Sequence, residues 1–278
     1  MNKLFSLVKW GLTLGSGSQN FLGAPWIERS LDKTPAENRR AKALHILSLS
    51  PHYFIDGDNP AYAGMSKEQY LDAAFDVYKT SREKLMDQLL AGRLNADDVV
   101  LDYGCGPGFL ARAVAANVKK VYAADISSGA LACARILNPG ENLEYISATD
   151  EGLAAVADGS IDAVISFAVI QHIGDAIYDL ILANCMRKLK PGGRVILGIQ
   201  LLEPGWKTEA EWLNDRSIKG RLKFKYGLHC FGRTPEEHLA MAAKHGFVDG
   251  RIESVADVVA EKFDDICSQH LMTAYKPS

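Results

Sequence analysis

This chain of 278 residues lacks several features that would each assign it quickly. It has no C-x-x-C pair and no Cys/His cluster. Its five cysteines (Cys105, Cys133, Cys185, Cys230 and Cys267) are odd in number and far apart, which argues against a disulfide framework and against a metal site. Neither sign of charge dominates. With 31 Lys and Arg against 34 Asp and Glu, the net charge is -3, so the basic excess that phosphate backbones require is missing and no nucleic-acid partner is expected. Internal repeats and low-complexity tracts are absent too. The apolar stretch at residues 1–14 is too short to span a bilayer, is interrupted by Lys9, and is followed by no clean small-x-small cleavage site. Leu4, Phe5, Val8 and Leu12 fall at helical spacing there. The stretch therefore reads as an amphipathic helix that packs on its own domain or touches a membrane surface. These features describe a reduced protein of the cytoplasm.

What is present is a folded chain, 47% hydrophobic and long enough for one α/β domain with an extension. Three helix starts carry explicit chemistry. Thr34-Pro35-Ala36-Glu37 reads as N-cap, first-turn proline and capping-box glutamate, with Pro51 ending the helix. Ser66 to Gln69 opens a helix running to about Gly92, and Thr234-Pro235-Glu236-Glu237 opens one closing at Gly246.

From residue 99 the rhythm changes. Short apolar runs at 99–102, 121–125, 143–147, 161–167 and 194–199 alternate with amphipathic stretches at 110–117, 128–137 and 175–189. Strands buried on both faces and separated by helices predict a parallel, doubly wound sheet, which 248–255 and 270–275 close as sixth and seventh strands. The expected organisation is a helical extension over 1–94 and an α/β core over 95–278. The long connection 201–233 is expected to form a lid or binding element.

The most informative stretch is Val99-Val100-Leu101-Asp102-Tyr103-Gly104-Cys105-Gly106-Pro107-Gly108, a strand entering a glycine turn before a helix. Such a turn lets backbone approach a ligand closely and aims a helix N-terminus at it. Asp125 ends the next strand, where a carboxylate can accept hydrogen bonds from both hydroxyls of a ribose, although it could equally cap the following helix. The spacing is G-x-G-x-G after Asp102, and Phe109 stands where a dinucleotide fingerprint would put its third glycine.

At these residues the sequence resembles the class I S-adenosylmethionine-dependent methyltransferases. Tyr122-Ala123-Ala124-Asp125, Asp162 to Phe167 and Lys190-Pro191-Gly192-Gly193-Arg194 resemble further segments of that family. The resemblance covers roughly residues 95–200 and implies a Rossmann-like fold binding S-adenosyl-L-methionine. It implies that Asp102, Gly104 and Gly106 surround the methionine portion, that Asp125 holds the ribose, and that Ile126 lies against adenine. Asp150, in Ala148-Thr149-Asp150-Glu151, would meet the adenine amino group, and backbone near Phe167 the methionine amine.

Other candidates come from the residues themselves. Arg82 falls in register with Leu71, Phe75, Tyr78, Leu85 and Leu89, and a guanidinium on a core-facing stripe needs an anion. That anion is either the cofactor carboxylate or a nearby acid reached by snorkelling. His172 lies just beyond the fourth strand, at the end of the sheet where ligands bind. It is a candidate base, or else a helix cap. His229 is a second candidate base. His52, Tyr53, Tyr226 and Phe231 are candidate acceptor contacts, and Trp206 and Trp212 suit an apolar or aromatic acceptor. Residues 220–226 alternate basic and apolar at strand period and, with Arg216 and Lys219, suggest an acidic acceptor or a solvated face. The expected activity is methylation of a small molecule, most readily at oxygen, with nitrogen or carbon as alternatives. A nicotinamide-dependent oxidoreductase and a non-catalytic scaffold are the rival readings.

Overall fold

The computed structural model describes residues 26–48, 60–225, 229–259 and 270–278. Seven strands form one sheet: β1 (Val99–Tyr103), β2 (Lys120–Asp125), β3 (Leu143–Ser147), β4 (Ile161–Ser166), β5 (Leu189–Ile199), β6 (Val248–Ser254) and β7 (His270–Tyr275). Their order is β3-β2-β1-β4-β5-β7-β6, with β1 to β5 parallel and β7 antiparallel to both of its neighbours. The order reverses between β1 and β4, and their carboxyl ends frame the crevice in which open α/β sheets take ligands.

Strand periodicity divides the core. Val100, Val121, Ala123, Ala163, Ile165 and Ile196 face one layer, whereas Leu101, Ala124, Val164, Val195 and Leu197 face the other. β5 starts five residues earlier than its apolar run implies. Ile161 already pairs with Leu189, and a register shift before Arg194 leaves Pro191-Gly192-Gly193 as a bulge within the strand.

The helices before β1 pack on this domain. α1 (Trp26–Asp32) and α2 (Ala36–Leu47) share a buried cluster with α3 (Lys67–Leu89), Phe109 and α5 (Ser128–Leu137), while α3 itself packs against α4 (Phe109–Ala115). The α3 start is closed by the Ser66 and Gln69 capping box. The expected Thr34 cap is not made. The Thr34 hydroxyl donates to the Ser30 carbonyl at the end of α1, and Pro35 occupies the N-cap of α2 without a side-chain bond. With only three residues between the two helices, the hydroxyl meets the orphan carbonyls behind it instead of the amides ahead.

Past β4, α6 (Asp150–Leu153) having preceded it, come α7 (Asp175–Lys188), then α8 (Glu209–Asn214), α9 (Ile218–Lys225), α10 (Pro235–Lys244) and α11 (Val255–Val258). The segment 201–233 leaves and rejoins the sheet through two bridges, Leu201 with Arg233 and Lys207 with Phe231. Within it, the strand expected at 220–226 is a helix over its described part. Ser217 accepts from the Gly220 amide, and Arg221 bonds back to the Ser217 carbonyl. An isolated strand there would leave its backbone unpaired, whereas a helix satisfies its own. Among the described residues no helix is long and apolar enough to cross a membrane, and no group of three or more His, Cys, Asp and Glu could hold a metal ion.

Candidate active site

The turn after β1 is built from backbone that only glycine tolerates easily. Gly104, Gly106 and Gly108 have φ of 88°, 54° and 83°. A methyl group on Gly104 would lie 2.3 Å from Val169 Cγ2, and one on Gly108 2.2 Å from the Tyr145 hydroxyl. The loop is therefore clamped between β4's exit and β3. Gly108 in its left-handed conformation is the N-cap of α4, so the amides at that helix start are left unshielded by any side chain.

Asp102 closes the floor of the loop. It is 1% exposed, and its Oδ2 is buried without a hydrogen-bond partner. Burial, with the nearby Asp125 charge, pushes its carboxyl up to about 7. A buried carboxyl left unsatisfied is costly unless a cationic or donating ligand completes it. The Asp125 carboxylate accepts 2.8 Å bonds from the amides of Gly106 and Ser127, so it ties the glycine loop to the end of β2. Burial still holds its pKa above the ordinary carboxylate value, and those two bonds oppose it only in part. Each oxygen keeps one lone pair for a ligand hydroxyl. The cap of α5 is Ser127, whose hydroxyl accepts from the Ala130 amide, so Asp125 is not used up as a helix cap. Ile126 stands 79% exposed beside it, and exposed Asp150 begins α6 across the same crevice.

On the other side of the switch point, Ser166 donates to the Tyr103 carbonyl and holds β4 to β1. Phe167 is buried, and Ala168 follows with φ of 57°, a conformation rare for alanine and concentrated at functional sites. The 3-10 turn Ile170–His172 comes next. His172 Nδ1 lies 2.8 Å from the His229 carbonyl. Because a carbonyl only accepts, Nδ1 carries the proton and Nε2 is left as the basic nitrogen of a neutral ring. Burial lowers the pKa of His172 below its ordinary value, against the small opposing effect of that carbonyl.

Further bonds hold the 229–233 limb and α8 against this turn and the start of α7. The Phe231 amide donates to the Gln171 carbonyl at 2.6 Å. Buried Arg233 bonds Asp175 at 2.7 Å and the carbonyls of Ile170 and Ile173. Glu209 in α8 accepts from the Asp175 amide, capping α7 where Gly174 has no side chain to do so. The ring of His229 is fully buried between Phe224 (4.6 Å, stacked), Phe231 (4.7 Å) and Trp212 (6.0 Å). Its ring nitrogens close no hydrogen bond of normal geometry, though nearby backbone, that of Lys223 included, pulls slightly against the burial that lowers its pKa.

The expected site residues thus fall into separate groups. Asp102, Gly104, Gly106, Asp125, Ile126, Asp150 and Phe167 gather at the carboxyl ends of β1, β2, β3 and β4. His172, His229 and Phe231 meet beside β4 and β5. Arg82 stacks 4.5 Å over Tyr78, whose ring rests 4.7 Å from Phe109 at the end of the glycine loop. Among the described residues it pairs with no acid. His52, Tyr53, Tyr226 and the helix expected at 1–14 lie outside the described residues. Sequence reasoning missed Arg233 and Glu209. The only signal for Arg233 was its position just before the Thr234 cap, and Glu209 carried none, since the helix it caps lies 34 residues away.

Residues 101–197 match the family model described as a methyltransferase domain. The chain is similar to ubiquinone biosynthesis O-methyltransferases: 37% identical over 98 residues to that of Azotobacter vinelandii, covering 34% of this chain and 41% of that one. To that of Pseudomonas paraeruginosa it is 35% identical over 104 residues, covering 37% and 44%. This chain therefore spans less than half the length of the curated relatives it matches. In fold it is similar to phosphoethanolamine N-methyltransferase 2 of Haemonchus contortus, solved with phosphomonomethylethanolamine and S-adenosylhomocysteine. That match has a TM-score of 0.52 at 19% identity and covers 76% of this chain and 58% of that one.

Proposed function

Residues 101–197 match a methyltransferase domain, and we propose that the chain is a class I S-adenosylmethionine-dependent methyltransferase that methylates a hydroxyl group of a small-molecule acceptor. The observation that carries the cofactor assignment is the orphaned Asp102 carboxyl beneath three left-handed glycines, with Asp125 presenting free lone pairs beside them. That set fits S-adenosyl-L-methionine. Asp102 and the backbone at Gly104, Gly106 and Phe167 would hold its amino-acid end, Asp125 its ribose, and Ile126 and Asp150 its adenine. Arg82, carried on α3 above Phe109, would contact the carboxylate. When bound, the cofactor supplies a methyl group activated by a sulfonium.

What remains for the protein is to hold the acceptor in line, exclude water and remove a proton. His172 does the last through Nε2, and its neutrality near pH 7 follows from its lowered pKa. His229 acts through its backbone carbonyl, which fixes the His172 tautomer, and not as a second base. Residues 201–233 are the lid, and 1–94 the cap on the cofactor side. Phe231, Trp212 and Phe224 support an aromatic acceptor, with His52, Tyr53 and Tyr226 as further contacts. Arg216, Lys219, Arg221 and Lys223 of the lid are exposed and lend no support to an acidic one. The O-methyltransferases among the relatives agree with oxygen as the atom methylated. The nicotinamide alternative is disfavoured because the ring of Phe109, where a third glycine would be needed, is buried under Phe75 and Tyr78.

The test is transfer of labelled methyl from the cofactor into a metabolite extract, with mass determination of the product. A hydroxyl compound heavier by one methyl group is expected. Absence of calorimetric binding of both the cofactor and its demethylated product would sink the reading.

A further inference from the structure

The outer face of the lid carries an arrangement that neither the cofactor nor the acceptor uses. In α9 the inward side is Gly220, packed on the Asp215 carboxylate, and Phe224, stacked on His229. At 100° per residue, Ile218 and Leu222 point the opposite way, and they are 80% and 47% exposed. Lys219 and Lys223 flank that ridge on one side and Arg221 on the other, all exposed, with exposed Arg216 just before the helix.

The acids of the lid are largely committed elsewhere. Asp215 is bonded to Lys207 and held well below the usual carboxylate range by it. Glu211 closes the Thr208 capping box, and Glu209 caps α7. Among the described residues, none of Arg216, Lys219, Arg221 and Lys223 forms an ion pair. An apolar ridge between cationic rows matches one surface best: headgroup phosphates meet the cations while Ile218 and Leu222 enter the acyl boundary. A nucleic acid would satisfy the cations and leave the ridge against water.

We infer that the lid helix Ile218–Lys225 docks the protein on an anionic lipid bilayer, reversibly and without spanning it. The inference is independent of the methyltransferase reading, because vesicle binding is measured without cofactor or acceptor. The full chain would be sedimented with vesicles of phosphatidylglycerol and phosphatidylcholine and with vesicles of phosphatidylcholine alone, at low and high salt. Binding to the first only, weakened by salt, is expected. At ~1 kcal/mol per cation, replacing Arg216, Lys219, Arg221 and Lys223 by Gln should weaken partitioning at least about a hundredfold. Ile218→Ser with Leu222→Ser should weaken it about tenfold or more at unchanged charge. Circular dichroism checks that both variants stay folded. No binding to anionic vesicles overturns the inference, as does binding that survives both variants, since another segment then carries it. Binding lost with the cations but untouched by the serine pair also overturns it, and equal affinity for a DNA duplex would then identify a polyanion site.

Discussion

The two halves of the crevice are held together in different ways. On the β1–β2 side, the two strands and the loop between β1 and α4 position the three glycines and both carboxylates within 24 residues, from Asp102 to Asp125. The bonds are short-range: backbone conformation at three glycines and two amides on one carboxylate. On the β4 side, His172 depends on residues 57 to 61 positions away, through the His229 carbonyl and the Arg233 guanidinium. The first half stores an unmet need, a buried carboxyl without a partner. The second pairs its charged groups but leaves the buried ring nitrogens of His229 unbonded, and it rests on a connection that, among the described residues, two bridges and a few side chains attach to the sheet. The difference teaches that binding and turnover should be separable by mutation.

The sharpest way to break the comparison is Asp102→Asn. The carboxyl ionises at about 7 in the folded protein against 3.8 for the ordinary group. The folded state therefore holds a proton that the unfolded chain has released, and stability is lost as pH rises through 7. Removing the charge should stabilise the cofactor-free protein at about pH 8 by up to ~4 kcal/mol, read by chemical denaturation. It should also weaken cofactor binding at least about a hundredfold by calorimetry. A variant that binds normally would show that the buried carboxyl does not belong to the cofactor site. In the unaltered protein, affinity for the cationic cofactor should rise between about pH 6 and pH 8, as Asp102 ionises.

Arg233→Met tests the other half. Losing a buried guanidinium with its carboxylate and two carbonyls should cost about 3 kcal/mol of stability, and methyl transfer should fall while cofactor affinity stays within about twofold. Equal losses of binding and turnover would show that the two halves are one cooperative unit.

His172→Ala should lower kcat about a hundredfold with little change in stability. Because its pKa lies below the ordinary histidine value, the acid limb of the kcat profile should fall below about pH 6.5 and vanish in the variant. An acid limb that persists would assign the proton transfer to another group. The smallest effect is expected for Arg82→Ala, a loss of cofactor affinity of about tenfold or less, because its stacking on Tyr78 leaves it partly exposed. Unchanged affinity would leave it a surface residue of α3.

Much of the fold was legible because its signals are local. Short runs marked all seven strands, although β6 is exposed over most of its length, and Ser66 and Thr234 marked two helix starts to the residue. The errors came where context outweighed a local pattern. Thr34 had two helix ends to choose between, and residues 220–226 alternated like a strand but had no neighbouring strand to pair with. At the crevice, the meeting of Asp102, the glycines and Asp125 was readable because a strand, a tight glycine turn and the end of the next strand bring them to one edge of the sheet. Arg233 and Glu209 were not, since an arginine or a glutamate becomes a clamp or a cap only through what lies opposite it.

The amino-acid order alone therefore settled the sheet, its doubly wound alternation and the glycine turn after β1, because each depends on steric and periodic constraints spanning a few residues. Tertiary packing decided which nitrogen of His172 is basic, what secures the lid to the sheet, and which face of α9 meets the solvent, because those follow from partners brought together across tens of residues by the closing of the core.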